Sequence, residues 1–536
     1  MCMNNHYKIS RKHNTDSENL FTKHTEQRFF HLYGVIKSNL YGHSQVKKAL
    51  QSIQISAQDT YSKGNAMTLY QNLANRLREH IQHGFFKPGE KLPSVRQLAQ
   101  EHGVSISTVQ EAYRQLEQDF LVEARPKSGY FVCFRKKDNL PSISRPPQRP
   151  LEVSQWEEVL NMLMIRSNNK GVQLQHAMPD MAAPTLKPLL KTLADLSKQK
   201  PELGLGYADI RGIEELRTQL CRLTVASGCQ LHPDDLVVTS GCQEALSVCL
   251  RAVTEPGDII AIESPSFYGS MQAIKAANLK AMEIPTHPET GISLEALELA
   301  LDQWPIKAIF VTPTCNNPMG YTMPEDKKEQ LYRLAQSYDI AIIEDDIYGD
   351  ISYQFPRPKT IKSFDTDGRV LLCSSFSKTI APGMRVGWIA PGRYRDKVTH
   401  IKYVSSSMCP VLPQLAIAKF IRLGGYTKHI RQMRQRYEKQ RDHLLNAIKT
   451  YLPNDTKVSY PDGSFILWVE LNPCIDSMAL VERCREEGVG FAPGPLFSAT
   501  GKYRNCFRLN FSEQSMEKRE WAIKTLATIL LSFEQP

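Results

Sequence analysis

Between residues 68 and 83 leucine and isoleucine recur at every fourth position. Leu69, Leu73, Leu77 and Ile81 follow that spacing, the last three line one helix face, and Gly84 stops the run. Lys87-Pro88-Gly89-Glu90 predicts a turn. Ser94 then stands as an N-cap before a short helical run that ends at Gly103, and Ser105 caps a longer one reaching about residue 120. Two helices joined by a short glycine-containing turn are the helix-turn-helix pattern. The segment 121–132, LVEARPKSGYFV, predicts two short strands around 126–129, a hairpin or wing.

Beyond residue 170 the pattern changes. Apolar runs at 236–239, 259–262, 308–312, 340–343, 370–373 and 386–389 are too short for helices, and helical stretches separate most of them. Continuous apolar strands alternating with helices predict a mixed, mostly parallel sheet covered on both faces. A long helical stretch at about 413–450 precedes further strands at 465–469 and 507–511, which predict a smaller α+β domain at the C-terminus.

Two segments lack such order. Residues 1–66 hold no sustained period and predict a flexible basic extension; Met67, where organised sequence begins, is a candidate first residue of the native protein. Residues 135–150, RKKDNLPSISRPPQRP, carry Pro141, Pro146, Pro147 and Pro150 and predict a semi-rigid basic linker, partly helical as it continues to about 170. The expected organisation is thus an extension (1–66), a winged helix-turn-helix (67–134), a linker (135–170) and an α/β body (171–536).

Charge sharpens this division. The chain of 536 residues has a formal net charge of +10. Residues 1–66 hold nine Lys/Arg and four Asp/Glu, and residues 67–150 hold thirteen and eight, so all of the excess lies before residue 151. A basic end on a neutral body fits two different partners, one of them polyanionic; a solvated charged surface gives the same count. No apolar run approaches the ~20 residues a membrane helix needs. The N-terminus lacks a secretory block, and the twelve cysteines contain no CxxC pair. Together these predict a cytoplasmic protein with reduced thiols, no membrane partner and no zinc ribbon.

The basic end offers a DNA-reading constellation. Ser105, Ser107, Thr108 and Gln110 open the second helix of the motif, where short polar groups meet base edges or phosphates. Arg96 lies early in the first helix, Arg125 and Lys127 flank the wing tip, and Gly129 permits a tight turn there. A small helical docking or dimerisation domain has a similar pattern. The run from KPGEKLPSVRQLAQEHGVS to SGYFV, however, resembles the winged-helix domain of GntR-type bacterial regulators over about 68–133. That resemblance implies that Arg96, Arg125 and the start of the second helix contact a double-stranded operator.

In the body, polar residues gather at strand ends, where open α/β sheets bind ligands. Gly241, Cys242 and Gln243 end a strand and open a helix, an anion site. Phe267 offers a flat face, although a core role is equally simple. Asn317 supplies an amide. Glu344, Asp345 and Asp346 end an apolar strand, a costly placement unless they are partnered. A protonated ring nitrogen would partner Asp345, and a magnesium ion is the alternative. Tyr348 adds a phenol. Lys378 follows Ser375, with Arg385 seven residues on; such a lysine forms a Schiff base with an aldehyde once its ammonium pKa falls. Plate, amide, acid, phenol, lysine and phosphate cradle together describe pyridoxal 5′-phosphate, with no metal.

These motifs resemble fold-type I aminotransferases of the aspartate aminotransferase superfamily over about 170–533. The resemblance implies that Lys378 carries the cofactor as an internal aldimine and that Asp345 meets the pyridine nitrogen. Tyr348 and Asn317 bond the phenolic oxygen, and Phe267 stacks on the ring. Gly241, Cys242, Gln243, Ser375 and Arg385 hold the phosphate, helped by Tyr207 from a neighbouring subunit. Arg508 clamps an amino-acid carboxylate. Cys242 and Gln243 depart from the small Ser, Ala or Thr often found there.

A GntR winged helix ahead of such a domain resembles the MocR-type subfamily of bacterial transcription regulators. It implies a head-to-tail homodimer that senses pyridoxal phosphate or an amino-acid-related effector. The alternative is an active aminotransferase carrying an accessory DNA-binding domain.

Overall fold

The computed structural model describes residues 68–533, except 83–84, 87–89, 120, 126–128, 133–139, 155, 165–170, 200 and 513–514. The N-terminal extension, the turn at 87–89 and Lys127 lie outside the described residues. The chain divides into two compact units, one ending at Arg135 and the other beginning at Lys136.

The first unit holds helices Leu69–Gln82, Val95–His102 and Ile106–Gln118 and an antiparallel hairpin of Val122–Arg125 with Gly129–Val132. Leu73, Leu77, Leu98, Val109, Tyr113 and Leu116 form its core. Ser94 Oγ accepts from Gln97 N at 3.2 Å, and Gly103 closes that helix at φ 63°. The wing has a third member that the sequence does not announce. Leu92 N donates to Tyr130 O (2.8 Å) and Val132 N to Glu90 O (2.9 Å), so residues 90–92 pair with the outer strand. Tyr113 ties this edge to the second motif helix: its hydroxyl donates to Pro93 O (2.6 Å) and its ring stacks on Tyr130, centroids 4.3 Å apart.

The second unit is built on an eight-stranded sheet. Its order is Val237–Thr239, Gly387–Ala390, Val370–Ser375, Ala341–Asp345, Ile306–Val311, Ile259–Ser264, Lys280–His287 and Gly291–Ile292. All neighbours run parallel except Gly387–Ala390 against both flanking strands, and Gly291–Ile292 at the far edge. Alternate residues serve two cores: Ile343 packs with helix Cys242–Val253 on one face, while Ile342 packs with Leu331 and Leu297 on the other. Burial on both faces is why these strands read as unbroken apolar runs. The expected mixed, mostly parallel sheet is present, and four antiparallel strands, Lys457–Val458, Ile466–Glu470, Cys506–Asn510 and Ala492–Pro493, form the smaller sheet.

Three local expectations need correction. The helical stretch at 413–450 is two helices, Val411–Arg422 and Gly425–Tyr451, because Gly424 at φ 75° turns the chain between them. Strands Lys280–His287 and Gly291–Ile292 were not expected, since Glu283 and Pro285 interrupt the apolar pattern of the former. The proline-rich segment is no free tether over 140–154. Its prolines leave few N–H groups, and those of Ser142, Leu151 and Ser154 donate to Glu470, Ala281 and Ala499 of the body. Helix Trp156–Met164 follows. Among the described residues, no helix is long and apolar enough to cross a membrane.

Candidate cofactor and DNA-binding sites

Lys378 lies in the loop between the antiparallel strands Val370–Ser375 and Gly387–Ala390, beside the end of Ala341–Asp345. Its Nζ donates to Ala177 O at 2.5 Å. Burial, and then the positive charge of Arg508, pull the ammonium pKa down to about 8. Asp345, the last residue of its strand, is 4% exposed. Its Oδ1 accepts from Ile347 N (3.1 Å) and from the Cys242 thiol (3.4 Å). Burial outweighs these bonds and lifts the carboxyl to about 7. The neighbouring acids take other partners. Glu344 accepts from Ile361 N (2.8 Å) and Lys362 N (2.9 Å), and Asp346 pairs with Arg357. The three carboxyls therefore do not converge, as the magnesium reading would require.

The pocket beside Lys378 has a volume of about 160 Å³, and its walls include Cys242, Gln243, Phe267, Asn317, Tyr348 and Arg385. The Tyr348 hydroxyl is buried without a hydrogen-bond partner, its ring edge-on to Phe465. Arg508 is fully buried. It donates to Asn317 Oδ1 (3.0 Å) and Gln175 O (2.6 Å), its Nε has no partner, and its guanidinium lies 5.1 Å from the Phe497 ring centre and 5.7 Å from that of Tyr268. On the anion side, Gly241 at φ 92° caps helix Cys242–Val253. A Cβ on Gly241 would meet Arg385 Nη2 at 2.6 Å. Arg385 also donates to Ser240 O, and Ser375 Oγ accepts from Ser377 N at 3.2 Å. The Gln243 side chain is engaged elsewhere, donating to Gly269 O at 2.7 Å, which leaves its backbone N–H for an anion. Tyr207 is 93% exposed and outside this pocket.

Sequence reasoning missed the segment that threads between the two cations. The carbonyls of Gln175 and Ala177 hold Arg508 and Lys378, and Asn510 Nδ2 donates to the carbonyl of His176 between them (2.5 Å). Backbone acceptors leave no side-chain signature. Tyr268, adjacent to Phe267, was the one visible signal for the aromatic wall.

In the first unit Arg96, Ser105, Ser107 and Gln110 are exposed and Thr108 is half-buried. Ser105 is the helix cap: its Oγ accepts from Thr108 N (3.1 Å) and lies 2.8 Å from both the Ser107 and Thr108 hydroxyls. Ser107 and Gln110 are thus the freer readers. Gly129 has φ 105°, a conformation that favours glycine, at the base of the wing.

Residues 69–132 match the family of bacterial regulatory proteins named gntR, and residues 177–526 match aminotransferase class I and II. The chain is 49% identical over 461 residues to the HTH-type transcriptional regulator YjiR of Escherichia coli, covering 86% of this chain and 98% of that protein. The chain belongs to the MocR-type regulators. Its aminotransferase-like part is also 31% identical to aromatic-amino-acid aminotransferase 1 of Thermococcus litoralis, over 69% of this chain and 90% of the relative. Among solved structures, the kynurenine aminotransferase of Pyrococcus horikoshii, crystallised with PMP, superposes with a TM-score of 0.66 at 31% identity. That match covers 71% of the regulator and 95% of the enzyme.

Proposed function

We propose that this regulator binds an operator in the cytoplasm through its winged helix and is controlled by pyridoxal 5′-phosphate, alone or with an amino-acid-related effector, at Lys378. One observation carries the reading: a lysine amine with a pKa near 8, a buried carboxyl, an unpartnered phenol and a buried arginine meet in one pocket on the same chain as a GntR domain.

The residues fit the cofactor. When bound, pyridoxal phosphate supplies an aldehyde that condenses with amines and a ring that withdraws electrons from them. Lys378 presents the amine; its depressed pKa keeps a usable neutral fraction near neutral pH. Asp345 holds a carboxylate against the ring nitrogen, where a positive partner repays its burial. Tyr348 and Asn317 serve the phenolic oxygen and Phe267 the ring face. The Cys242–Val253 helix start, with Gly241, Ser375 and Arg385, receives the phosphate. Arg508 takes the effector's α-carboxylate through a fork whose Nε is still open. The DNA contacts are Arg96, Ser107 and Gln110, with Arg125, Lys127 and Thr108 at their margins.

The regulator works as a head-to-tail homodimer, supported by the almost complete exposure of Leu205 and Tyr207 in the single chain. In that dimer Tyr207 reaches the neighbour's phosphate. The test is direct: added pyridoxal phosphate should colour the protein, borohydride should fix it to Lys378, and the loaded protein should change its affinity for its own upstream DNA. The intact set of residues, Arg508 included, also supports the aminotransferase alternative. Sustained turnover of an amino acid with a keto acid, with DNA affinity indifferent to the cofactor, would favour it.

A further inference from the structure

We infer that residues 140–164 form a clasp that reads the relative position of the two sheets of the body and passes it to the DNA-binding unit; this rests on the reading above. The segment is fastened to both sheets at once. On the small sheet, Ser142 donates from its N to Glu470 Oε2 (2.7 Å) and from its Oγ to Glu470 Oε1 (2.8 Å), and Lys457 Nζ donates to the same hydroxyl (2.7 Å). Near that sheet, Lys502 Nζ donates to Arg145 O (2.8 Å). On the large sheet, Ser144 Oγ accepts from Thr286 N (3.0 Å), and Leu151 and Ala281 exchange two backbone bonds of 2.8 Å. Lys275 Nζ then donates to Val153 O (2.9 Å).

The helix that follows repeats the arrangement with apolar contacts. Val159 and Met162 are buried in one cluster with Tyr268 from the large domain and Trp468, Phe497 and Cys506 from the small one. Tyr268 and Phe497 are the rings that flank Arg508. Any shift of the small sheet as a ligand settles on Arg508 therefore moves one fastening of the clasp relative to the other. Hydrogen bonds and close packing do not stretch by ångströms, so the segment must let go or follow. Residues 133–139 alone separate Leu140 from the last wing strand, so a displaced Leu140 displaces the point from which the DNA unit hangs. A ligand shifts an equilibrium only through contacts that differ between its states, and the clasp supplies such contacts.

The test uses the full chain, with pyridoxal phosphate as the probe. Hydrogen exchange at the Ser142, Leu151 and Ser154 amides should change on loading. In the Ser142→Ala/Ser144→Ala variant the cofactor should still be taken up and unloaded DNA affinity should stay at the wild-type level. The change in DNA affinity caused by loading, within the ~5–150-fold typical of coupled sites, should shrink below about twofold. Exchange that ignores loading, or a variant with the full wild-type response, overturns the clasp and leaves the cofactor reading intact. A wild-type chain that takes up no cofactor sinks both.

Discussion

At Lys378 two effects set the chemistry. Burial and Arg508 oppose the ammonium form, while the Asp345 carboxylate supports it, and the former win. A lysine at its ordinary value near 10.5 would present a negligible amine fraction at neutral pH. The rate of pyridoxal phosphate capture should therefore rise with pH and level off above about 8, and stopped-flow absorbance would show it. A profile still climbing through pH 10 would mean that the amine is unperturbed. Lys378→Ala should bind the cofactor reversibly only, leaving nothing for borohydride to fix, as mass spectrometry of the tryptic peptides would report. At the anion end, Gly241→Ala places a Cβ 2.6 Å from Arg385 Nη2 at a φ of 92°. Backbone strain of about 1–2 kcal/mol at such a residue predicts a cofactor affinity roughly tenfold weaker. An unchanged affinity would show that Arg385 and Gly241 do not form the cradle. Cys242 also acquires a purpose here: its thiol donates to Asp345, which a Ser could imitate and an Ala could not.

At the scale of elements, the winged helix depends on its caps and on Tyr113. Ser105→Ala removes the bond to Thr108 N and should lower the stability of that unit by about 1 kcal/mol, measurable as faster native-state hydrogen exchange in Ile106–Gln118. Arg96→Ala, on an exposed face, should weaken binding to all DNA sequences about equally and flatten the salt dependence by roughly one unit of slope. Elements were legible where burial dictated composition. Strand Ala341–Asp345 is buried at every position, so it reads as an apolar run ending in acids. Lys280–His287 hides among polar residues because Glu283, though buried, accepts from Ala499 N at 2.8 Å. Residues 90–92 join the wing through backbone alone, and no pattern of side chains records that. The same holds at the cofactor site: Lys378, Asp345 and Arg508 stand out as charged residues in apolar surroundings, whereas the Gln175 and Ala177 carbonyls that hold two of them do not.

Over the whole molecule, the division of charge matches the division of labour. The +10 excess falls before residue 151, on the side of the DNA unit, and the neutral remainder carries the cofactor pocket. Composition alone made the proline-rich stretch a spacer; its N–H groups instead bond to the body over 140–154. The central claim is that chemistry at one lysine alters how the chain holds DNA. It is tested by measuring affinity for its own upstream DNA, at fixed salt, against pyridoxal phosphate concentration for the wild type and Lys378→Ala. The account predicts a wild-type curve that shifts as the cofactor loads and a variant curve that stays where it began. A wild-type affinity that ignores the cofactor, or a variant that shifts as far as the wild type, would contradict it.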